Sequence, residues 1–362
     1  MPKQLVADRW LFFTAGLLAV AGLFLVGSAS HYEAMSRGGS PFAYLAKHAV
    51  HFALGLLCMV GIMSVPYRRL ADRRLVQVAL IACGVSLMLV RFMPAAGGAH
   101  RWFRLGPLAV QPSEFVKLVV IVYVAGLLAE KPDDVNDRGF LLRVTAWVGA
   151  LAFLTAIEPD LGSAVMIALV PAILLFVGGL RWRTLAYAAA GGILLFALAV
   201  IAEPYRLARI RTFLEPGSDQ QGAGFQLTQS LLAVGSGGIT GVGFGHGMQK
   251  AWFLPAAHTD FIFSVVGEEM GLIGSCLLLA AFLVLFWRGV RAALRAPDRF
   301  GFHLALGVTC LLVVQALIHM GVCLGLLPTK GLPLPFISYG GSSLVATLAA
   351  TGLLLNVSQH SG

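Results

Sequence analysis

Ten apolar stretches limit what this chain can fold into. They lie near 10–28, 49–65, 76–94, 114–130, 143–157, 161–179, 184–202, 261–287, 300–322 and 341–357. About 20 apolar residues in an α-helix span the roughly 30 Å hydrocarbon core of a bilayer. Inside lipid, the backbone must satisfy its own hydrogen bonds, which a helix does. The sequence therefore predicts an all-α, polytopic integral membrane protein of about ten transmembrane helices, with residues 1–362 as one transmembrane domain. Composition agrees: 58% of the residues are hydrophobic and 12% charged, against roughly 45–50% and 25% in soluble proteins. A water-soluble core is excluded.

The formal charge of +9 is expected to orient the spans rather than to bind nucleic acid. Short basic breaks follow spans two, four, six and eight: Arg68, Arg69, Arg73 and Arg74; Lys131, Arg138 and Arg143; Arg181 and Arg183; Arg288, Arg291, Arg295 and Arg299. Lys3 and Arg9 precede span one. The positive-inside rule then places these breaks and both termini in the cytoplasm. Residues 10–27 have some features of a signal peptide, but their length and the spans that follow favour a retained first span. Cys58, Cys83, Cys276, Cys310 and Cys323 are odd in number and scattered, so packing is expected of them, not a disulfide framework or a metal motif. The sequence contains no internal repeat and no nucleotide-binding glycine motif followed by lysine, which disfavours an ATP-driven machine.

The opposite, extracytoplasmic face receives the segments 30–48, 95–113, 203–260 and 323–340, and function is expected there. Residues 203–260, between spans seven and eight, form the large loop. Its glycines at 235, 237, 238, 241, 243, 245 and 247 suggest flexibility or tight turning, while Leu227, Leu231, Leu232 and Phe253 suggest that it folds back onto the membrane.

Charged groups in or beside apolar helices are costly and mark candidate sites. Glu114 and Lys117 share a helix face, either as a structural ion pair or as part of a site. Asp160, after Pro159, either caps span six or serves chemistry. Asp260, in His258-Thr259-Asp260-Phe261-Ile262-Phe263, sits where the long loop re-enters the membrane. Partial desolvation there would raise its pKa and suit a base, and capping span eight is the alternative. Glu268 and Glu269 lie deeper and point about 100° apart, so at least one faces a polar interior. Arg101, Arg104, Arg206, Arg209, Arg211, Lys250 and Lys330 are the cations available outside, for a substrate or for lipid phosphates. His48 and His51 lack a third ligand at metal-binding spacing and are read as interfacial packing.

Several motifs in order carry a resemblance. They are Gly98-Ala99-His100-Arg101-Trp102; Gln111-Pro112-Ser113-Glu114-Phe115-Val116-Lys117; Glu158-Pro159-Asp160-Leu161-Gly162; Gly224-Phe225-Gln226 with Gln229-Ser230 and Gly235-Ser236-Gly237-Gly238; Gln249-Lys250; Phe253-Leu254-Pro255; the Asp260 run; Gly267-Glu268-Glu269; and Leu327-Pro328-Thr329-Lys330-Gly331 through Ser338-Tyr339-Gly340-Gly341-Ser342-Ser343. Over essentially all ten spans the chain resembles the SEDS family of cell-wall proteins (FtsW, RodA, SpoVE), and within it the FtsW, division-type branch. It departs at Ala256, where the family usually has glutamate, at Phe225, at His246 and Gly247, and at His319.

The resemblance implies a peptidoglycan glycosyltransferase that polymerises lipid II, the undecaprenyl-diphosphate-linked disaccharide-peptide, on the outer face of the bacterial inner membrane. It implies Asp260 as the base. Arg101, Arg104, Arg211, Lys250 and Lys330 would contact the diphosphate, and Glu114, Lys117, Asp160, His258 and Ser338 would line or hold the cavity. A divalent cation, Mg or Mn, could bridge an acid and the diphosphate, although the sequence shows no ligand set for one. The implied partners are membrane lipid and a class B penicillin-binding protein, with no nucleic acid. A lipid II flippase and a non-catalytic scaffold for a transpeptidase are the alternatives.

Overall fold

Each apolar run becomes a helix because lipid offers its backbone no other hydrogen-bond partner. The computed structural model describes residues 7–36, 38–94, 100–105, 108–215 and 222–360; Lys3, Gly98 and Ala99 lie outside them. The described helices are α1 (Arg9–Ser36), α2 (Ala43–Met63), α3 (Arg73–Val90), α4 (Pro112–Glu130), α5 (Arg138–Ile157), α6 (Leu161–Val177), α7 (Trp182–Ile201), α8 (Pro204–Leu214), α9 (Ala223–Ser236), α10 (Gln249–Trp252), α11 (Ile262–Leu294), α12 (Arg299–Cys323) and α13 (Gly341–Gln359). Nine of them are long and apolar enough to cross a membrane. The tenth expected span is α6, only 17 residues long and interrupted by Pro171. A small antiparallel hairpin, β1 (Phe103–Leu105) with β2 (Leu108–Val110), precedes α4.

Several helix starts carry the carboxylates that orphan N–H groups require. Asp72 caps α3, Asp137 caps α5, Asp160 caps α6 and Asp298 caps α12. The start of α1 and the end of α13 meet at one end of the bundle, as an even number of crossings requires. Asp8 receives an ion pair from Arg288, and its backbone N–H donates to the Ser358 hydroxyl at 3.1 Å. Helices in lipid associate through close van der Waals contact at small residues, because the hydrophobic effect between them is lost. In the α2–α13 contact, a Cβ at Gly352 would lie 2.8 Å from the Met59 carbonyl oxygen, and one at Gly55 would lie 2.5 Å from Leu348. The buried faces of α12 and α13 form the interior, whereas Tyr187, Ile193 and Leu195 of α7 are exposed to the surroundings.

Three expectations change. Helices α1 and α2 continue through most of 30–48, so little of that segment is loop. Residues 203–260 contain α8, α9 and α10. Of the two readings of the glycine run, tight turning holds and flexibility does not: the run is built into α11, which breaks at Gly271 (φ 62°, ψ −158°). The loop repairs that break. Val242 and Gly243 donate backbone N–H groups to the Glu268 and Glu269 carbonyls at 3.0 and 3.1 Å, while Leu272 and Ile273 donate to Gly238 and Ile239 at 2.9 and 3.1 Å. A Cβ at Gly237 would lie 1.9 Å from the Gly267 carbonyl oxygen. Only glycine permits this approach.

Candidate active site

Three segments converge at the end of the bundle opposite the termini: the turn before α11, the 328–340 loop, and the α5–α6 turn with α8 beside it. In the first, Asp260 is half-buried. The residue capping α11 is Phe261, with no side-chain cap bond. Among the described residues, no protein donor is bonded to the Asp260 carboxylate. Gly331 brings the 328–340 loop against it: a Cβ at 331 would lie 3.2 Å from Oδ2. Burial pushes the Asp260 carboxyl above its ordinary value; Arg209 and Arg101 pull it down, and Asp160 adds to the rise. A carboxylate that is desolvated, flanked by cations and free of protein donors keeps its lone pairs for a substrate.

Asp160 is the opposite case. Its Oδ1 accepts from the Ser163 N–H at 3.1 Å, and its Oδ2 accepts from the Gln111 amide at 2.9 Å and from the Ser113 hydroxyl at 3.2 Å. It caps α6 and ties it to the start of α4. Arg101 grips the same turn, donating to the Glu158 and Pro159 carbonyls at 2.8 and 2.5 Å. Lys330 rests over the Phe196 ring at 5.8 Å, and its Cε lies 3.3 Å from where a Gly162 Cβ would stand. Burial lowers its ammonium to about 8, with Asp160 opposing and Arg206 assisting. On α8, Arg209 donates to the Thr329 carbonyl at 3.3 Å and Arg206 to the Ala156 carbonyl at 3.2 Å.

Asp260, Asp160, Arg101 and Lys330 are thus neighbours, together with Arg206 and Arg209. Arg211 is exposed on α8, two residues and about 200° around the helix from Arg209. The Arg206–Arg209 spacing of three would have shown which arginine faces the site, had a helix been recognised there. Arg104 is exposed on the hairpin opposite Ala109.

The remaining candidates are engaged inside the protein. Lys250 pairs with Glu269, and both side chains are almost fully buried. Ser28 of α1 binds both, donating to Glu269 Oε1 at 2.8 Å and accepting from the Lys250 ammonium at 2.6 Å. Glu268 accepts the Met248 and Gln249 N–H groups at 2.7 and 3.0 Å, at the start of α10. Lys117 binds Glu114 at 2.9 Å and the Gln315 carbonyl oxygen at 3.0 Å, and the Gln315 amide donates to the Pro333 carbonyl at 2.8 Å. That chain holds the 328–340 loop. His319 secures it again at the Leu332 carbonyl, 2.7 Å away.

Ser338 donates to the Thr259 carbonyl at 2.7 Å and accepts from the Leu334 N–H at 2.8 Å, which clasps the loop to the Asp260 turn. His258 Nδ1 lies 3.0 Å from Glu33 Oε2, and its ring packs on Tyr44 and Tyr339. Among the described residues, no group of three or more His, Cys, Asp or Glu side chains is arranged to hold a metal ion, and the Asp160 oxygens already have donors.

This fold and site define a polytopic helical membrane protein with an acid set among cations at one end of its bundle. The chain belongs to the FtsW/RodA/SpoVE family of cell cycle proteins, whose family model matches residues 8–362. It is 44% identical to the probable peptidoglycan glycosyltransferase FtsW of Geobacter metallireducens, over 97% of this chain and 94% of that one. It is 38% identical to the stage V sporulation protein E of Bacillus subtilis, over 99% of each. A solved structure, described as showing structural coordination of polymerization and crosslinking by a peptidoglycan synthase complex, superposes with a TM-score of 0.82 at 30% identity, covering 98% of each chain.

Proposed function

We propose that this protein is a peptidoglycan glycosyltransferase that polymerises lipid II at the outer face of the bacterial inner membrane, in septal wall synthesis. The observation that carries the reading is the Asp260 carboxylate, without a donor among the described residues and within electrostatic reach of Arg101 and Arg209. The names of the relatives support the activity. Basic segments at the end holding both termini support a cytoplasmic position for that end, which turns Asp260 outward.

Asp260 takes the proton of the acceptor sugar's 4-hydroxyl as that oxygen bonds to the donor's anomeric carbon. The bond from that carbon to the diphosphate oxygen breaks, the configuration inverts, and undecaprenyl diphosphate leaves. A diphosphate leaves without being protonated when cations meet its charge, so Arg101, Arg209 and Lys330 suffice where a second carboxyl acid would otherwise be needed. Asp160, Glu114, Lys117, His258 and Ser338 hold these groups in place. A class B penicillin-binding protein is the partner this reading assigns, crosslinking the strands as they emerge. Purified protein given labelled lipid II, alone and with such a partner, separates the outcomes: glycan polymer supports the reading, whereas translocated but unpolymerised lipid, or no reaction under either condition, overturns it.

A further inference from the structure

At the end of the bundle that carries the termini, far from Asp260, α3, α4 and α5 line an open cleft of about 110 Å³. That is well beyond the roughly 15 Å³ one water needs. Arg73, Gln77, Tyr123, Glu130, Arg143 and Trp147 line it. Arg73 opens α3, Glu130 closes α4 and Arg143 stands in the second turn of α5, so the pocket lies where these helices leave the hydrocarbon. Both arginines are exposed, and the Tyr123 hydroxyl donates to the Arg143 carbonyl at 3.1 Å. Among the described residues, no ion pair joins Arg73, Arg143 or Glu130 to a counter-charge.

Two guanidiniums and one carboxylate leave a net charge of +1 over a largely apolar cleft flanked by tyrosine and tryptophan. This combination suits a lipid whose head carries one negative charge and whose chains continue into the bilayer. Gly126, on the α4 wall, leaves the cleft open: a Cβ there meets nothing within 4 Å.

We propose that this pocket is a binding site for a monoanionic phospholipid, whose phosphodiester is held by Arg73 and Arg143 and whose acyl chain lies along Gly126 and Trp147. Glu130 disfavours heads of higher negative charge. The bound lipid joins α3, α4 and α5 at the end opposite the acid, independently of what reaction the acid performs.

Native mass spectrometry of the delipidated full chain, titrated with phosphatidylglycerol, phosphatidylcholine or inorganic phosphate, tests this. The expected result is one retained phosphatidylglycerol, bound at least tenfold more tightly than phosphatidylcholine and not displaced by millimolar phosphate. Arg73→Gln with Arg143→Gln should erase the preference between the two lipids. Gly126→Leu, which fills the cleft and leaves the charges, should remove binding of both at an unchanged melting temperature in detergent. Equal binding of the two lipids by the unaltered chain, or binding by Gly126→Leu at the original strength, overturns the proposal. Displacement by inorganic phosphate overturns the lipid as the source of the anion.

Discussion

Replacing Lys250 by methionine asks whether that lysine serves the substrate or the scaffold. The side chains of Lys250 and Glu269 are 1% and 0% exposed, and Ser28 draws α1 into the same contact. Removing one partner of a buried pair leaves the other charge uncompensated and costs about 3–5 kcal/mol. With roughly 2.1 cal/mol/K of unfolding entropy per residue, 362 residues give about 0.76 kcal/mol/K, so the melting temperature should fall by about 4–7 °C. Replacing both members, Lys250→Met with Glu269→Leu, removes the orphaned charge and should recover most of the loss. A fluorescence melt of the detergent-purified protein measures this, with glycan polymerisation followed in parallel. An unchanged melting temperature with activity abolished in both the single and the double variant would refute the structural assignment and make Lys250 a substrate contact.

Arg209→Ala should reduce polymerisation at least tenfold while Arg211→Ala stays within about twofold, in line with roughly 1.5–3 kcal/mol for a charged hydrogen bond; the reverse order in a rate assay contradicts the placement of α8. Glu158 is buried and, among the described residues, its carboxylate oxygens have no hydrogen-bond partner; burial, reinforced by Asp160 and opposed by Arg101 and Arg91, raises it from 4.5 to about 8. The folded chain therefore holds this proton through a window in which the unfolded chain has lost it: the stabilisation is full below about pH 4.5 and is lost as pH rises through about 8. Glu158→Gln should flatten that part of the melting-temperature profile between pH 5 and 8.5, and an unchanged slope contradicts the assignment. Gly241→Ala, at φ 82° and with its Cβ 2.1 Å from the Glu269 carbonyl oxygen, should destabilise the repaired break in α11 by more than 1 kcal/mol, read as lower yield and a lower melting temperature.

The spans were legible because lipid imposes one simple rule on length and polarity; nine described helices meet it, and α6, apolar but 17 residues long with Pro171 inside, falls just short of it. The candidate site was legible in part. Asp260 announced itself as an acid where a polar loop meets an apolar helix, and Asp160 followed a helix-ending proline. What the sequence did not reveal depends on pairing over distance. Nothing local tells Lys250 to bind Glu269 and Ser28, or Gln315 to receive Lys117. Arg209 could not be separated from Arg211 while residues 203–260 were read as a loop, since a facing direction exists only once a helix does. The glycines at 237 and 241 left flexibility and tight turning both open, because glycine has the same signature whether it frees a backbone or lets one pass close to another.

The most direct measurement is the rate of lipid II polymerisation by purified Asp260→Asn protein beside the unaltered chain. Loss of a positioned base predicts a fall of at least about 100-fold, with the same elution profile and melting behaviour. The unaltered enzyme should also lose activity on acidification at a pH above that of an ordinary aspartate, and Arg209→Gln should move the midpoint higher still. Glycan strands made by Asp260→Asn at a rate near that of the unaltered protein would contradict the account.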